Sequence, residues 1–174
     1  MKRFYKMLVC ALVLLVLPVA GGAEALSGTC GEGISWALEE GTLTVSGNGA
    51  TEQEFTIPNV APGTYDLVVS KPGHLKYTVK NVVVGDTDLD LTKLTDKPYS
   101  TITLLCGDIN RDGSINVTDL NEVWDAANFN KNVSAATNKL TDINGDGSVN
   151  VTDLNVIWDA ANFNKGLSAC TYDF

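Results

Sequence analysis

Two sets of oxygen-bearing residues with the same internal spacing are the part of this chain best suited to chemistry. The first set is Asp108, Asn110, Asp112, Ser114, Asn116 and Asp119; the second is Asp142, Asn144, Asp146, Ser148, Asn150 and Asp153. Each occupies positions 1, 3, 5, 7, 9 and 12 of a twelve-residue loop, with Gly113 or Gly147 at position 6. A hard cation such as calcium takes about six to eight oxygen ligands, and a loop of this spacing can wrap around it if position 6 permits a sharp turn. Ser114 and Ser148 would ligate through their backbone carbonyls, and Asn116 and Asn150 directly or through a water. The expectation is two calcium ions, one in each loop. Position 12 is Asp, a shorter arm than the Glu usual in such loops, so closure around the ion must be tighter.

Both loops lie in a duplicated segment. DINRDGSINVTDLNEVWDAANFNK runs from Asp108 to Lys131, and DINGDGSVNVTDLNVIWDAANFNK runs from Asp142 to Lys165, identical at 20 of 24 positions. After each loop an apolar stripe predicts a helix, through Leu120, Val123 and Ala127 in the first copy and Leu154, Ile157 and Ala161 in the second. The two stripes are expected to pack against each other. Thr118 and Thr152 stand near the helix starts, where hydroxyls are favoured. Ile115 and Val149, at position 8, are expected to pair the loops back to back in a short antiparallel ladder. Ahead of the first loop, Ser100 to Leu105 reads as a strand, so each repeat is a loop followed by a helix, without the preceding helix of an EF-hand.

Written twice in that arrangement, D-x-N-x-D-G-x-[IV]-N-x-x-D-L resembles the type I dockerin, over about residues 107 to 170. Members of that family attach secreted proteins of anaerobic bacteria to cohesin domains in cellulosome-like assemblies. The resemblance implies an all-α module of two F-hand repeats at residues 106–170, and as partner a cohesin of a scaffoldin or cell-surface protein. It also implies a cohesin-facing set: Val117, Thr118, Trp124, Asp125 and Phe129, repeated as Val151, Thr152, Trp158, Asp159 and Phe163. Because the set is repeated unchanged, docking in two orientations related by 180° is expected. Trp then Asp stands where many members carry basic residues, which implies a different cohesin specificity group. The alternative for Trp124 and Trp158 is that they complete the core of a very small module.

The 174 residues carry a formal charge of -9, room for one modest domain or two small ones, and an acidity that argues against nucleic acid. Residues 1–25 read as a secretory leader: Lys2, Arg3 and Lys6 precede an apolar run from Met7 to Val19, and Ala23-Glu24-Ala25 fits a cleavage site. Its loss would remove three of 12 basic and one of 21 acidic residues, leaving 9 against 20 and a net charge of -11. The run is short for a membrane span, so a secreted, extracellular chain with no membrane insertion is expected. Cys30, Cys106 and Cys170 would remain. In the two-fold arrangement that the resemblance implies, the module's ends meet and a Cys106 to Cys170 bridge would clasp them; the alternative is that the thiols stay reduced.

Between leader and repeats the chain reads as β structure. Glu54 to Ile57, Thr64 to Val69, Leu75 to Val84, Asp88 to Leu91 and Ser100 to Leu105 show alternation or β-branched runs between turn signals. From Phe55 to His74 the pattern resembles a carboxypeptidase regulatory-like, or prealbumin-like, β-sandwich, placed at residues 50–105 with first strands drawn from Gly41 to Ser46. That family implies a spacer and stability module. A short β segment is expected at residues 26–49, of which residues 28–49 resemble a short β-hairpin repeat of surface proteins. The fold class expected is multidomain: a small all-β sandwich, then the all-α dockerin.

No catalytic constellation emerges. His74, the one histidine, stands in a Pro-Gly-His turn, and Glu39-Glu40 and Glu52/Glu54 read as solvated faces. Trp36, Tyr65, Tyr77 and Tyr99 could form a sugar platform or serve as core. The leading expectation is a non-catalytic adaptor for a cellulosome-like or cell-surface assembly. The alternatives are a dockerin-borne carbohydrate-binding protein for plant polysaccharide and a free calcium-binding secreted protein.

Overall fold

The computed structural model describes residues 10–12, 27–31, 34–47, 53–55, 57 and 60–174. The chain forms two units, each assembled from separated stretches. One holds the residues up to Ser70, Tyr77–Leu104 and Thr171–Phe174; the other holds Lys71–Lys76 and Leu105–Cys170. The leader expected at residues 1–25 lies outside the described residues except for β1 (Cys10–Leu12), which pairs in parallel with β5 (Gln53–Phe55).

The first unit is built on a six-stranded mixed sheet of β2 (Ser27–Gly31), β3 (Ile34–Glu39), β4 (Thr42–Gly47), β6 (Gly63–Ser70), β7 (Tyr77–Val84) and β12 (Thr171–Asp173), ordered β12-β7-β6-β4-β3-β2. Glu40 and Gly41, at φ 48° and 78°, turn β3 into β4 as a two-residue hairpin requires. Burial explains the register. In the parallel β4–β6 pair Leu43 stands opposite Leu67 and Val45 opposite Val69, all four at most 3% exposed, and Trp36 on β3 pairs with Val45. A one-residue slip would move every one of these side chains to the other face.

Two expectations are corrected here. The β region is not a two-layer sandwich among the described residues: the strands join edge to edge in one sheet, with β1 and β5 as a separate pair. Strand β4, which covers the Gly41 to Ser46 stretch expected to supply first strands, pairs directly with β6. Asp88 to Leu91 and Ser100 to Leu105 are not strands. Asp90 accepts from the Thr92 amide at 3.1 Å and its hydroxyl at 2.6 Å, which winds Leu91–Lys93 into a 3-10 turn; Pro98 starts a second turn, Pro98–Ser100. The apolar residues that suggested strands, Leu91, Ile102 and Leu104, are buried all the same.

The second unit carries both repeats. Helix α1 (Val117–Trp124) and helix α2 (Val151–Trp158) each follow a loop, and Val123 and Ile157 are fully buried. Ala127 and Ala161, expected on the helical stripe, lie beyond the helices. Asp125 and Asp159, with ψ near 137°, end the helical backbone, and their carboxylates take the amides of Ala127 at 2.7 Å and Ala161 at 2.8 Å to start a separate turn.

The ladder joining the repeats also differs from expectation. Ile115 and Val149 do not pair with each other. Strand β8 (Ser114–Ile115) pairs with β11 (Lys165–Gly166), and β10 (Ser148–Val149) pairs with β9 (Lys131–Asn132), so each loop pairs with the tail of the other repeat. Asn130 and Asn164, at φ 56° and 57°, bend those tails back and donate to the Val149 and Ile115 carbonyls at 2.8 Å. Left-handed backbone suits asparagine. The exchange leaves Ile115 and Val149 fully buried.

Candidate functional site

Each loop is ordered by its own side chains. In the first, Asn110 accepts from the Asp112 amide and Asp112 from the Ser114 amide, both at 2.9 Å; Asn144, Asp146 and Ser148 repeat this in the second at the same distances. Gly113 at φ 84° and Gly147 at φ 89° donate to Asp108 at 3.3 Å and Asp142 at 3.0 Å. These turns draw the oxygens of positions 1, 3 and 5 into one short arc of chain.

The last position of each loop has a second task. Asp119, fully buried, accepts from the Ile109 and Asn110 amides at 2.8 and 3.2 Å with one oxygen and from the Asn116 amide at 2.9 Å with the other. Asn116 returns the favour by accepting from the Thr118 amide at 2.8 Å, a capping box that starts α1. Asp153 and Asn150 do the same for α2. The short Asp arm thus closes the loop and opens the helix at once. Asp119→Ala should leave three backbone donors without their acceptor and destabilise the unit by about 3 kcal/mol or more. Thermal unfolding of the full chain checks this; a loss below about 1 kcal/mol would show that the carboxylate does not hold the loop.

One oxygen in each loop has no partner. Oδ1 of Asp108 and Oδ1 of Asp142 are buried and accept no hydrogen bond. Burial, together with the neighbouring carboxylates of Asp119 and Asp112, pushes the Asp108 carboxyl above its ordinary range. A buried anion beside two others is costly unless a cation offsets it, so the loops fit calcium on their own chemistry. No three His, Cys, Asp or Glu side chains gather as a metal-binding group among the described residues. The asparagine and backbone oxygens are needed too, and calcium accepts that mixed donor set.

The expected partner-facing residues are largely at the surface. Val117 and Val151 are each 56% exposed, Trp124 61% and Trp158 63%, so the tryptophans are not core. Thr118, Thr152, Asp125 and Asp159 are exposed, and Phe129 and Phe163 are half-buried. Each Trp leans on the Phe five residues on, with ring centroids 4.4 Å apart for Trp124–Phe129 and 4.6 Å for Trp158–Phe163. Four residues outside the expected set join them. Leu120 and Asn121 of α1 and Leu154 and Asn155 of α2, with the two valines and two tryptophans, line a groove of about 390 Å³. Sequence pointed to Leu120 and Leu154 only as core, because an amphipathic stripe does not tell a helix neighbour from a missing partner.

Cys106 and Cys170 are both thiols; burial pushes Cys106 up to about 11 and raises Cys170 as well. The Cys30 side chain lies outside the described residues. Burial lowers His74, whose Nδ1 lies 2.9 Å from the Pro72 carbonyl oxygen. Trp36, Tyr77 and Tyr99 are buried, and half-buried Tyr65 donates its hydroxyl to the Ala61 carbonyl at 2.8 Å, so these rings offer no flat sugar platform.

Comparison with known proteins agrees with this geometry. The family model of the dockerin type I domain matches residues 106–159. No curated protein matches the chain. Among solved structures, a chain of an N-terminal interface mutant of the type II cohesin-X-dockerin complex from Acetivibrio cellulolyticus is similar in fold, with TM-score 0.51 and 22% identity over 93% of this chain and 99% of that one. A C-terminal interface mutant of the same complex gives TM-score 0.47 at 20% identity, with the same coverage. The match to the dockerin type I model, from Cys106 to Asp159, spans both loops and both helices.

Proposed function

We propose that this chain is a secreted, non-catalytic adaptor that docks onto a cohesin of a cellulosome-like or cell-surface assembly. In this reading Asp108, Asn110, Asp112, Ser114, Asn116 and Asp119 hold one calcium ion, and Asp142, Asn144, Asp146, Ser148, Asn150 and Asp153 hold another. Calcium, when bound, would supply positive charge beside the buried, unpartnered carboxylate oxygens of Asp108 and Asp142. The protein residues do the rest: Asp119 and Asp153 fix the loop to the helix, and the helices present Val117, Trp124 and their repeats to the partner. The observation that carries the reading is the dockerin match lying on two loops that each bury an unpartnered carboxylate oxygen.

Two docking orientations belong to the proposal, since the contact set is repeated without change. So do removal of a leader over residues 1–25 and a spacer role for the β unit, of carboxypeptidase regulatory-like type. The test is a binding screen of the full chain against a panel of type I and type II cohesins, with calcium and with chelator. Calcium-dependent capture by at least one cohesin is expected. Calcium uptake with no cohesin bound would make this a free calcium-binding protein, and retention on plant polysaccharide instead would favour the carbohydrate-binding alternative.

A further inference from the structure

The two loops differ at one point that matters for covalent chemistry. Position 3 is Asn in both, but position 4 is Arg111 in the first and Gly145 in the second. The hydrogen bonds of the two asparagine side chains otherwise match. Oδ1 accepts from the Asp112 amide at 2.9 Å in the first loop and from the Asp146 amide at 2.9 Å in the second. Nδ2 donates to Asp112 and Thr118 at 3.0 and 2.8 Å, and to Asp146 and Thr152 at 2.9 and 2.8 Å. All four residues at positions 3 and 4 are exposed, and position 4 is left-handed in both loops, at φ 63° and 72°. The nitrogen that follows Asn110 belongs to a residue with a side chain; the one that follows Asn144 belongs to a glycine, where a Cβ would meet nothing within 4 Å. We propose that Asn144 is a site of spontaneous covalent modification, converting through a succinimide to aspartate and isoaspartate, while Asn110 is spared.

The only co-reactant is water. The Gly145 nitrogen attacks Cγ of Asn144, the bond from Cγ to Nδ2 breaks, and the proton lost by the attacking nitrogen leaves with Nδ2 as ammonia. The Asp146 amide polarises the carbonyl under attack and meets the negative charge that develops on Oδ1. Water then opens the cyclic imide at either carbonyl: cleavage at Cγ gives aspartate, and cleavage at the main-chain carbonyl gives isoaspartate, whose backbone runs through the former side chain. Ring closure needs backbone rotation and a close approach of the nitrogen to Cγ, and glycine permits both because it has no Cβ to clash. Arg111 obstructs the same approach in the first loop. The product carries a carboxylate at position 3, in the loop that already holds Asp142, Asp146 and Asp153. Isoaspartate also lengthens the loop by a backbone carbon and takes away the side-chain oxygen that accepts from Asp146. Two loops that start alike thus become unlike with age, and the second is the one that changes. The modification goes beyond the docking function proposed above and is independent of what the module docks to.

The experiment incubates the full chain at mildly alkaline pH, in calcium buffer and in chelator, and follows each asparagine by tandem mass spectrometry of its peptides. Labelling by an isoaspartyl methyltransferase identifies the isoaspartate. Asn144 should convert at least about tenfold faster than Asn110 in both buffers, a difference of ~1.4 kcal/mol in barrier. Gly145→Arg should bring Asn144 down to the rate of Asn110, and Arg111→Gly should raise Asn110 to the rate of Asn144. Arg111 shows that such a loop accepts arginine in left-handed backbone, and circular dichroism checks folding. If Gly145→Arg misfolds, Arg111→Gly carries the test by itself, since glycine relaxes that backbone. Equal rates at the two asparagines in either buffer would overturn the proposal. So would conversion confined to Asn48, which Gly49 follows in the chain's other Asn-Gly pair, or a folded Gly145→Arg chain in which Asn144 converts as fast as before.

Discussion

Chelation of the full chain is expected to melt α1, α2 and the exchanged ladders. Each helix has eight residues, well short of the ~12 to 15 at which an isolated helix becomes even marginal in water. What holds them is the pair of capping boxes, a small core around Ile109, Ile115, Val123, Val149 and Ile157, and ladders two residues long. Against this stand two loops that each bury an unpartnered carboxylate oxygen. Free calcium at a thousand times its Kd would contribute about 4 kcal/mol per site, comparable with the whole stability of a small unit. Hydrogen exchange is the measurement of choice, at the amides of Asn130 and Asn164, which bond to Val149 and Ile115. Protection should fall by at least about a thousandfold on chelation. Tryptophan emission is a poor reporter, since Trp124 and Trp158 are already 61% and 63% exposed when folded. Amides that stay protected in chelator would show that the loops fold without the ion.

The second large effect belongs to the last four residues. Removing Thr171 to Phe174 should destabilise the β unit by about 3 kcal/mol and lower its melting temperature by roughly 10 °C or more. The tail is the sixth strand of the sheet, in parallel register with Thr78 to Lys80, and Phe174 donates its amide to the Lys80 carbonyl at 3.0 Å. Tyr172 stacks on Tyr77 at 5.1 Å, and Phe174 on Tyr99 at 5.9 Å. Tyr77 and Tyr99 are 4% and 1% exposed, so the deletion uncovers two large rings. Calorimetry on chains ending at Phe174 and at Cys170 tests this, with Tyr172→Ala/Phe174→Ala expected to fall between them. Identical transitions would mean that the tail only decorates the sheet. A fragment beginning near residue 104 would carry this strand without its sheet and would lack Lys71–Lys76, which belongs to the repeat unit: Gly107 donates to the Gly73 carbonyl at 2.8 Å and Leu75 to the Leu105 carbonyl at 2.9 Å. Binding and stability are for that reason best measured on the whole chain.

Local chemistry was legible in the residues themselves. The glycine at position 6 and the helix starts near Thr118 and Thr152 depend on partners within a few residues, so spacing and residue type specify them; the caps at Asn116 and Asn150 and the hairpin at Glu40-Gly41 are equally local but were not read. Strands β6 and β7 were legible from alternation, because one face of each is buried. Where the helices stop was not, since Asp125 can continue a helix or cap a turn, and only its bond to Ala127 decides. Leu91 and Ile102 are apolar and buried as strands would be, yet the Asp90 cap and Pro98 wind their segments into turns. Pairing between distant segments lies further from what spacing can specify. Ile115 could have met Val149 or Lys165 with the same backbone chemistry, and the tail from Thr171 carries no mark of the strand it lies beside. The exposure of Trp124 and Trp158 is likewise a tertiary outcome: a stripe of Leu, Val and Trp buries whatever the second helix reaches, and two eight-residue helices reach Val123 and Ile157 while leaving both tryptophans to solvent at the mouth of one shared groove.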